Sequence, residues 1–239
     1  MQFIGSLAFT TFLFVWTAAY AFSFALLGAL VPFRYRHLFA RNWGSVLLRV
    51  LKFTCRLDYR VEGAVHLPAG AHVALVKHSS SWETIAQTVL LPAQAWVLKR
   101  ELTWLPFVGW CVRLLRSIAV DRGAGHVAVK SVLRQGKQRL AEGIWVVVFP
   151  EGTRMPPGQT RKYGISGALL ASETGCCVIP VAHNAGYYWP RRGLLKRAGT
   201  IRVVIGAPIP AAGRDPRELN AEVQAWIEAH SGPPADGAR

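Results

Sequence analysis

The sequence predicts an α/β domain, a mostly parallel central sheet flanked by helices, behind an N-terminal hydrophobic membrane helix or helical hairpin. Three observations predict it. A stretch of 31 residues from Phe3 to Phe33 carries no charge. Beyond residue 57, short apolar runs rich in Val and Ile alternate with segments of helical period. Polar clusters follow several of those runs, as expected where ligands sit at the carboxyl ends of parallel strands.

At 1.5 Å per helical residue the uncharged stretch would reach roughly 46 Å, against a hydrocarbon core of about 30 Å. It has no Lys or Arg before Arg34, whereas a cleaved signal peptide opens on a basic segment, so it reads as retained membrane structure. Gly28 and Pro32 mark its end, and a tilted span or a turn back within one leaflet both fit. Arg34, Arg36, Arg41, Arg49, Lys52, Arg56 and Arg60 follow, with Asp58 the only acid among them. The positive-inside bias then puts this flank, and an active site behind it, on the cytoplasmic side of the inner membrane. From His37 to Phe53, apolar residues interleave with these cations, as in a helix lying on an anionic bilayer; a core-facing helix has the same pattern. Residues 1–33 thus form a membrane segment, 34–56 a basic interfacial helix, 57–231 the α/β domain and 232–239 a Gly/Pro-rich disordered tail.

Within the domain, Tyr59 to Val61, Val73 to Val76, Ala95 to Leu98, Ser117 to Val120, Ile144 to Phe149, Val178 to Ala182 and Thr200 to Ile205 read as strands. Trp82 to Leu91, Gly125 to Ala141, Ile165 to Thr174 and Pro216 to Ala229 read as helices; Leu102 to Leu115 does too, broken by Pro106 and Gly109. The net charge of +15 invites a polyanion, and the apolar stretch assigns it to anionic lipid rather than nucleic acid. Cys55, Cys111, Cys176 and Cys177 include no Cys-x-x-Cys pair, and no histidine has a ligand-spaced neighbour, so neither a disulfide framework nor a metal is expected.

The run His78-Ser79-Ser80-Ser81-Trp82-Glu83 places an imidazole and a carboxylate five residues apart, between a strand and the first turn of a helix. The bend can bring them together, as one continuous helix would not. A histidine oriented by an acid is a general base for a hydroxyl proton. Ser80-x-x-Glu83 is equally a capping box, in which Glu83 bonds back to the Ser80 amide. Phe149-Pro150-Glu151-Gly152-Thr153-Arg154 leaves another strand and can aim a guanidinium at a phosphate; an internal Glu to Arg pair in a solvated turn is its plainer account. Val120-Asp121-Arg122 and Lys99-Arg100 end two further strands and add cations to the same predicted edge. No Walker loop, dinucleotide fingerprint, nucleophile elbow or His-Glu-x-x-His motif is present.

In order, His-x4-acid, Val-Asp-Arg, Phe-Pro-Glu-Gly-Thr-Arg and Val178-Ile179-Pro180-Val181 resemble the four blocks of the glycerolipid acyltransferase family. The family usually has Asn before the histidine and Asp at the acid position, where this chain has Lys77 and Glu83. Glu can orient an imidazole as Asp does, and a strand can turn Lys77 to its other face. The resemblance implies direct transfer of a fatty acyl chain from acyl-CoA or acyl-carrier protein to the 2-hydroxyl of lysophosphatidic acid, giving phosphatidic acid, with no cofactor beyond the thioester co-substrate. It implies His78 as base oriented by Glu83, Arg154, Lys99 and Arg122 on the acceptor phosphate, and Glu151, Gly152 and Thr153 in substrate positioning. An acyl groove would draw on Trp104, Phe107 and Trp110. A lyso-ornithine lipid is an alternative acceptor of the same chemistry, and a non-catalytic basic membrane-surface protein an alternative of a different kind.

Overall fold

The computed structural model describes residues 2–121 and 123–234. The chain opens with α1 (Gln2–Leu27) and α2 (Phe33–Cys55), separated by a short turn that ends at Pro32. The two run antiparallel: Gly5 lies against Thr54, Trp43 Nε1 donates to Thr17 Oγ1 at 3.2 Å, and Phe24 meets Phe39 at 5.0 Å between ring centres. The apolar stretch is therefore half of a helical hairpin.

Both ends of α1 are tied to the α/β domain or to the end of α2. At its start, Gln2 donates to the Cys55 and Lys196 carbonyls, and Ser6 Oγ accepts from the Lys196 amide at 2.9 Å. Towards its end, Cys111 Sγ meets the Ala21 carbonyl at 3.3 Å and Phe22 packs edge-on against Phe107. Its outward face carries Ile4, Phe14, Val15 and Leu26, all exposed. Among the described residues it is the one helix long and apolar enough to cross a membrane.

The strands are β1 (Leu57–Glu62), β2 (Val73–Val76), β3 (Gln94–Lys99), β4 (Ile118–Val120), β5 (Trp145–Val148), β6 (Cys177–His183), β7 (Gly199–Ile205) and β8 (Ile209–Pro210). They form one sheet in the order β1-β7-β6-β2-β5-β3-β4, with β8 beside β6. Pairing is parallel except where β7 and β8 run against β6. The central strands β2 and β5 are buried on both faces, which is why they read as unbroken apolar runs.

Alternate residues of the strands serve two cores. Ala74, Val76, Val147 and Ile179 face a layer made by α1, α2 and α3 (Trp82–Leu90). Val73, Leu75, Val146 and Val148 face α5 (His126–Ala141), α6 (Ser166–Thr174) and α8 (Pro216–His230). The helix after β2 thus covers one face, and the helix after the adjacent β5 covers the other. Neighbouring strands whose connections part in this way leave a crevice at their carboxyl ends.

One sequence expectation is narrowed here, and others gain detail. Residues 34–56 are helical, but Leu47 and Leu51 are fully buried, and Gly44 lets α2 approach Thr88 and Ile85 of α3. The apolar side of α2 around Leu47 and Leu51 is core, while Leu38, Phe53 and most of its cations stay exposed. The stretch 102–115, expected helical with breaks at Pro106 and Gly109, is a turn at Arg100–Trp104 and α4 (Val108–Leu114): Pro106 and the left-handed Phe107 (φ 59°) interrupt it, while Gly109 lies inside α4. The short α7 (Ala185–Tyr188) and β8 carry too little pattern to be read. Of the tail, residues 235–239 lie outside the described residues.

Replacing Leu51 with Ala should cost about 2–5 kcal/mol of stability, whereas exposed Leu38→Ala should stay within about 0.5 kcal/mol. Denaturant titration of the two variants in detergent distinguishes a core helix from a surface one.

Candidate active site

His78 leaves β2 two residues after Val76, and the opposite wall of the crevice is the loop after β5. Between His78 and α3 the chain turns sharply, because Glu83 gathers it: one oxygen, Oε1, accepts from His78 Nδ1 at 2.8 Å, the Ser79 amide at 3.1 Å and the Ser80 amide at 2.9 Å. Ser80 Oγ accepts from the Trp82 amide at 3.0 Å and donates to the Trp189 carbonyl at 2.6 Å. The capping box and the His-acid pair, which the sequence leaves as alternatives, coexist on the same carboxylate.

A carboxylate accepts only, so the Nδ1 of His78 carries the hydrogen and Nε2 is left as the basic nitrogen. The ring stacks on Phe149 at 4.2 Å, and the Met155 amide donates to the His78 carbonyl at 2.8 Å. Glu83 is wholly buried. Burial alone would raise its carboxyl, but the His78 hydrogen bond, the two neighbouring imidazoles and the Ser80 amide hold it below the ordinary glutamate value. Its second oxygen accepts no hydrogen bond and faces His183 Nε2 at 3.8 Å. His183 is pushed below its ordinary value by burial; it bonds the Lys77 carbonyl through Nε2 and accepts from the Ala185 amide through Nδ1, the pattern of a neutral ring.

The loop after β5 turns back through Gly152, whose positive φ of 67° favours glycine. Glu151 does not pair with Arg154. Its Oε1 binds Lys77 Nζ at 2.7 Å and its Oε2 accepts from the His78 amide at 2.6 Å. It holds the strand end that carries the imidazole rather than the arginine it was expected to position. Lys77 points away from the imidazole side, as the sequence allows, into a buried group with Glu151 and Glu228.

Arg154 adjoins Met155 and so lies beside His78, and its Nε is buried with no hydrogen-bond partner, a donor able to meet an anion. Thr153 sits next to it in the loop. Lys99 ends β3 at the same sheet edge, but its side chain is 54% exposed and paired with Glu101 at 2.8 Å. Arg122 lies outside the described residues, and the Asp121 before it binds Arg100.

The residues expected to form an acyl groove lie at the surface. Trp104 and Trp110 are exposed, and Phe107 packs between Phe22 and Trp110, so the three form an outward patch. The other side of α4 lines an apolar cavity of about 120 Å³ with Tyr20, Phe24, Phe39, Trp43 and Trp96. Sequence reasoning also missed Phe149 beneath the imidazole and Glu228, which lies 151 residues from the lysine it binds.

An imidazole hydrogen-bonded to a buried carboxylate, beside an arginine loop at the edge of an α/β sheet, is an arrangement able to carry acid–base group transfer. The chain belongs to the acyltransferase family, whose model matches residues 58–184. It is 41% identical to a 1-acyl-sn-glycerol-3-phosphate acyltransferase of Pseudomonas aeruginosa over 218 residues, 90% of this chain and 83% of that protein. The human 1-acyl-sn-glycerol-3-phosphate acyltransferase alpha is 25% identical over 74% of this chain, which spans 63% of that protein. The crystal structure of the 1-acyl-sn-glycerophosphate (LPA) acyltransferase PlsC from Thermotoga maritima has the same fold, with a TM-score of 0.80 over 96% of this chain and 95% of that one, at 22% identity.

Because the Glu83 carboxyl is depressed in the fold, its stabilisation is present above the unfolded value of about 4.3 and is lost as the pH falls through the lower folded one. The stability difference between wild type and Glu83→Gln should therefore shrink between about pH 5 and pH 3. Urea titrations across that range check it, and a constant difference would count against the pairing.

Proposed function

We propose that this chain transfers a fatty acyl group from an acyl-CoA or acyl-carrier-protein thioester to the 2-hydroxyl of lysophosphatidic acid, making phosphatidic acid. The observation that carries the reading is the His78 Nδ1 to Glu83 Oε1 hydrogen bond, set at the sheet's crevice beside Arg154 in a chain 41% identical to an enzyme of that name.

Nε2 of His78 takes the proton of the acceptor hydroxyl as its oxygen attacks the thioester carbonyl. The imidazolium that forms has Glu83 at 2.8 Å, already desolvated and already oriented, so little reorganisation is needed when the charge appears. Collapse of the tetrahedral intermediate expels the thiolate, and His78 returns the proton to it. Arg154 binds the acceptor's phosphomonoester and so fixes which hydroxyl faces the base.

The α1–α2 hairpin keeps the domain on a lipid surface. A helix tied at both ends to one domain lies along it, with Ile4, Phe14 and Leu26 turned to the acyl chains, and does not traverse the bilayer. The cations of α2 meet anionic headgroups, which supports a location on the cytoplasmic face of the inner membrane.

Two outcomes are expected. Thiol release from acyl-CoA, followed with a thiol reagent in the presence of lysophosphatidic acid, should fall by about 10²- to 10⁴-fold in His78→Ala with its melting temperature kept. Arg154→Ala should lower kcat/KM for the acceptor by about tenfold or more, mainly through KM. A purified His78→Ala protein with near wild-type transfer would sink the mechanism. For the membrane reading, Ile4→Ser with Phe14→Ser should weaken flotation with anionic vesicles by about tenfold or more; unchanged flotation refutes it.

A further inference from the structure

The residue before the imidazole is a buried lysine where the family usually has a neutral one, and its surroundings are built for it. Lys77 Nζ binds Glu151 Oε1 at 2.7 Å, both oxygens of Glu228 at 2.8 Å and the Gln159 carbonyl at 3.1 Å. The side chains of Lys77 and Glu151 are only 5% and 0% exposed. Glu228 belongs to α8 and also accepts from Tyr163 Oη at 2.7 Å and Thr160 Oγ1 at 2.9 Å. The other oxygen of Glu151 accepts the His78 amide at 2.6 Å. A continuous chain of charge-assisted bonds therefore runs from the last helix to the backbone of the base.

We propose that Lys77 is a positioning residue for the acyl-transfer base: clamped between Glu151 and Glu228, its ammonium holds the Glu151 carboxylate on the His78 amide and so fixes the imidazole against Glu83. The inference rests on His78 being the base of the reaction proposed above. A buried carboxylate without its cation takes up a proton, and the protonated acid is a weaker acceptor for the amide. Lys77 opposes that step. Glu228 seats the lysine and, being a second carboxylate, also opposes the charge on Glu151.

Burial already pushes the Glu151 carboxyl up to about 7, against the pull of Lys77 and the His78 amide and with Glu228 adding to the rise. The group is thus poised near neutrality, where a change in its neighbours alters its charge at working pH. The charged or titratable groups around it are Lys77, Glu228 and Tyr163, with Arg161 and Lys162 lining the adjoining cavity. Lys77, bonded to Glu151, and Glu228, bonded to Lys77, predict opposite effects. Without the lysine, Glu151 keeps its proton to higher pH; without Glu228, it loses it at lower pH.

The test is the pH profile of kcat for wild type, Lys77→Asn and Glu228→Gln, measured on full-length protein in detergent with melting temperatures recorded. Lys77→Asn should move the acid limb up by about one to three units, so that kcat at pH 7 falls about tenfold or more and recovers when the pH is raised, with KM for the acceptor little changed. Glu228→Gln should leave the limb at or below the wild-type position. A general loss of packing would lower kcat at every pH and in both variants. An unmoved limb in Lys77→Asn overturns the proposal, as does an upward shift shared by Glu228→Gln, which alone decides the matter if Lys77→Asn does not fold. Wild type that turns over only another lyso-lipid overturns the acceptor assigned above, and the profiles are then read with that lipid. Wild type inert with every thioester and lyso-lipid overturns both.

Discussion

Glu83 Oε1 accepts three hydrogen bonds, and the site depends on that single atom. Two of the donors are backbone amides at the start of α3, which would otherwise be unpaired; the third is the imidazole. Closing the turn and orienting the His78 imidazole thus rest on the same carboxylate oxygen. The cost of burying the carboxylate is offset by those donors and by its place in the first turn of a helix, where a negative charge is favoured.

The same economy explains where the candidate site sits. Strands β2 and β5 are neighbours whose following helices lie on opposite faces, so their end loops diverge and leave a crevice that neither helix fills. His78 ends one strand and the Glu151 to Arg154 loop ends the other, and the two are stitched together by the Glu151 to His78 and Met155 to His78 bonds. The sheet fixes the separation of the two loops to within the parallel register, which a site assembled from long flexible loops would lack.

How much was legible in the sequence depends on the range of each interaction. The strand and helix order was readable because apolar periodicity is local, and His78 with Glu83 because five residues and one bend join them. The destination of α2 was not, since an amphipathic face looks the same whether it meets lipid or Ile85. Lys77 read as an anomaly because its partner Glu228 is distant in sequence and carries no motif. Trp104 and Trp110 show the converse: aromatic residues invite a groove, yet position relative to α4 decides whether they face a cavity or the outside, and sequence does not give that position. Lys99 was placed at the correct edge by its strand, while its bond to Glu101 reflects a local pairing that any exposed lysine can make.

Phe9 of α1 is fully buried against Trp189, and Lys196 places its ammonium near both rings while its backbone is held by Gln2 and Ser6. The segment 194–196 in turn leads into β7, and Trp189 is the residue whose carbonyl receives Ser80. The apolar hairpin is therefore a wall of the α/β domain rather than a tether for it. Solubilising this enzyme by cutting ahead of β1 would remove part of its interior, so a water-soluble form has to be sought by recolouring the outward face of α1 with polar side chains while its inward face is kept intact.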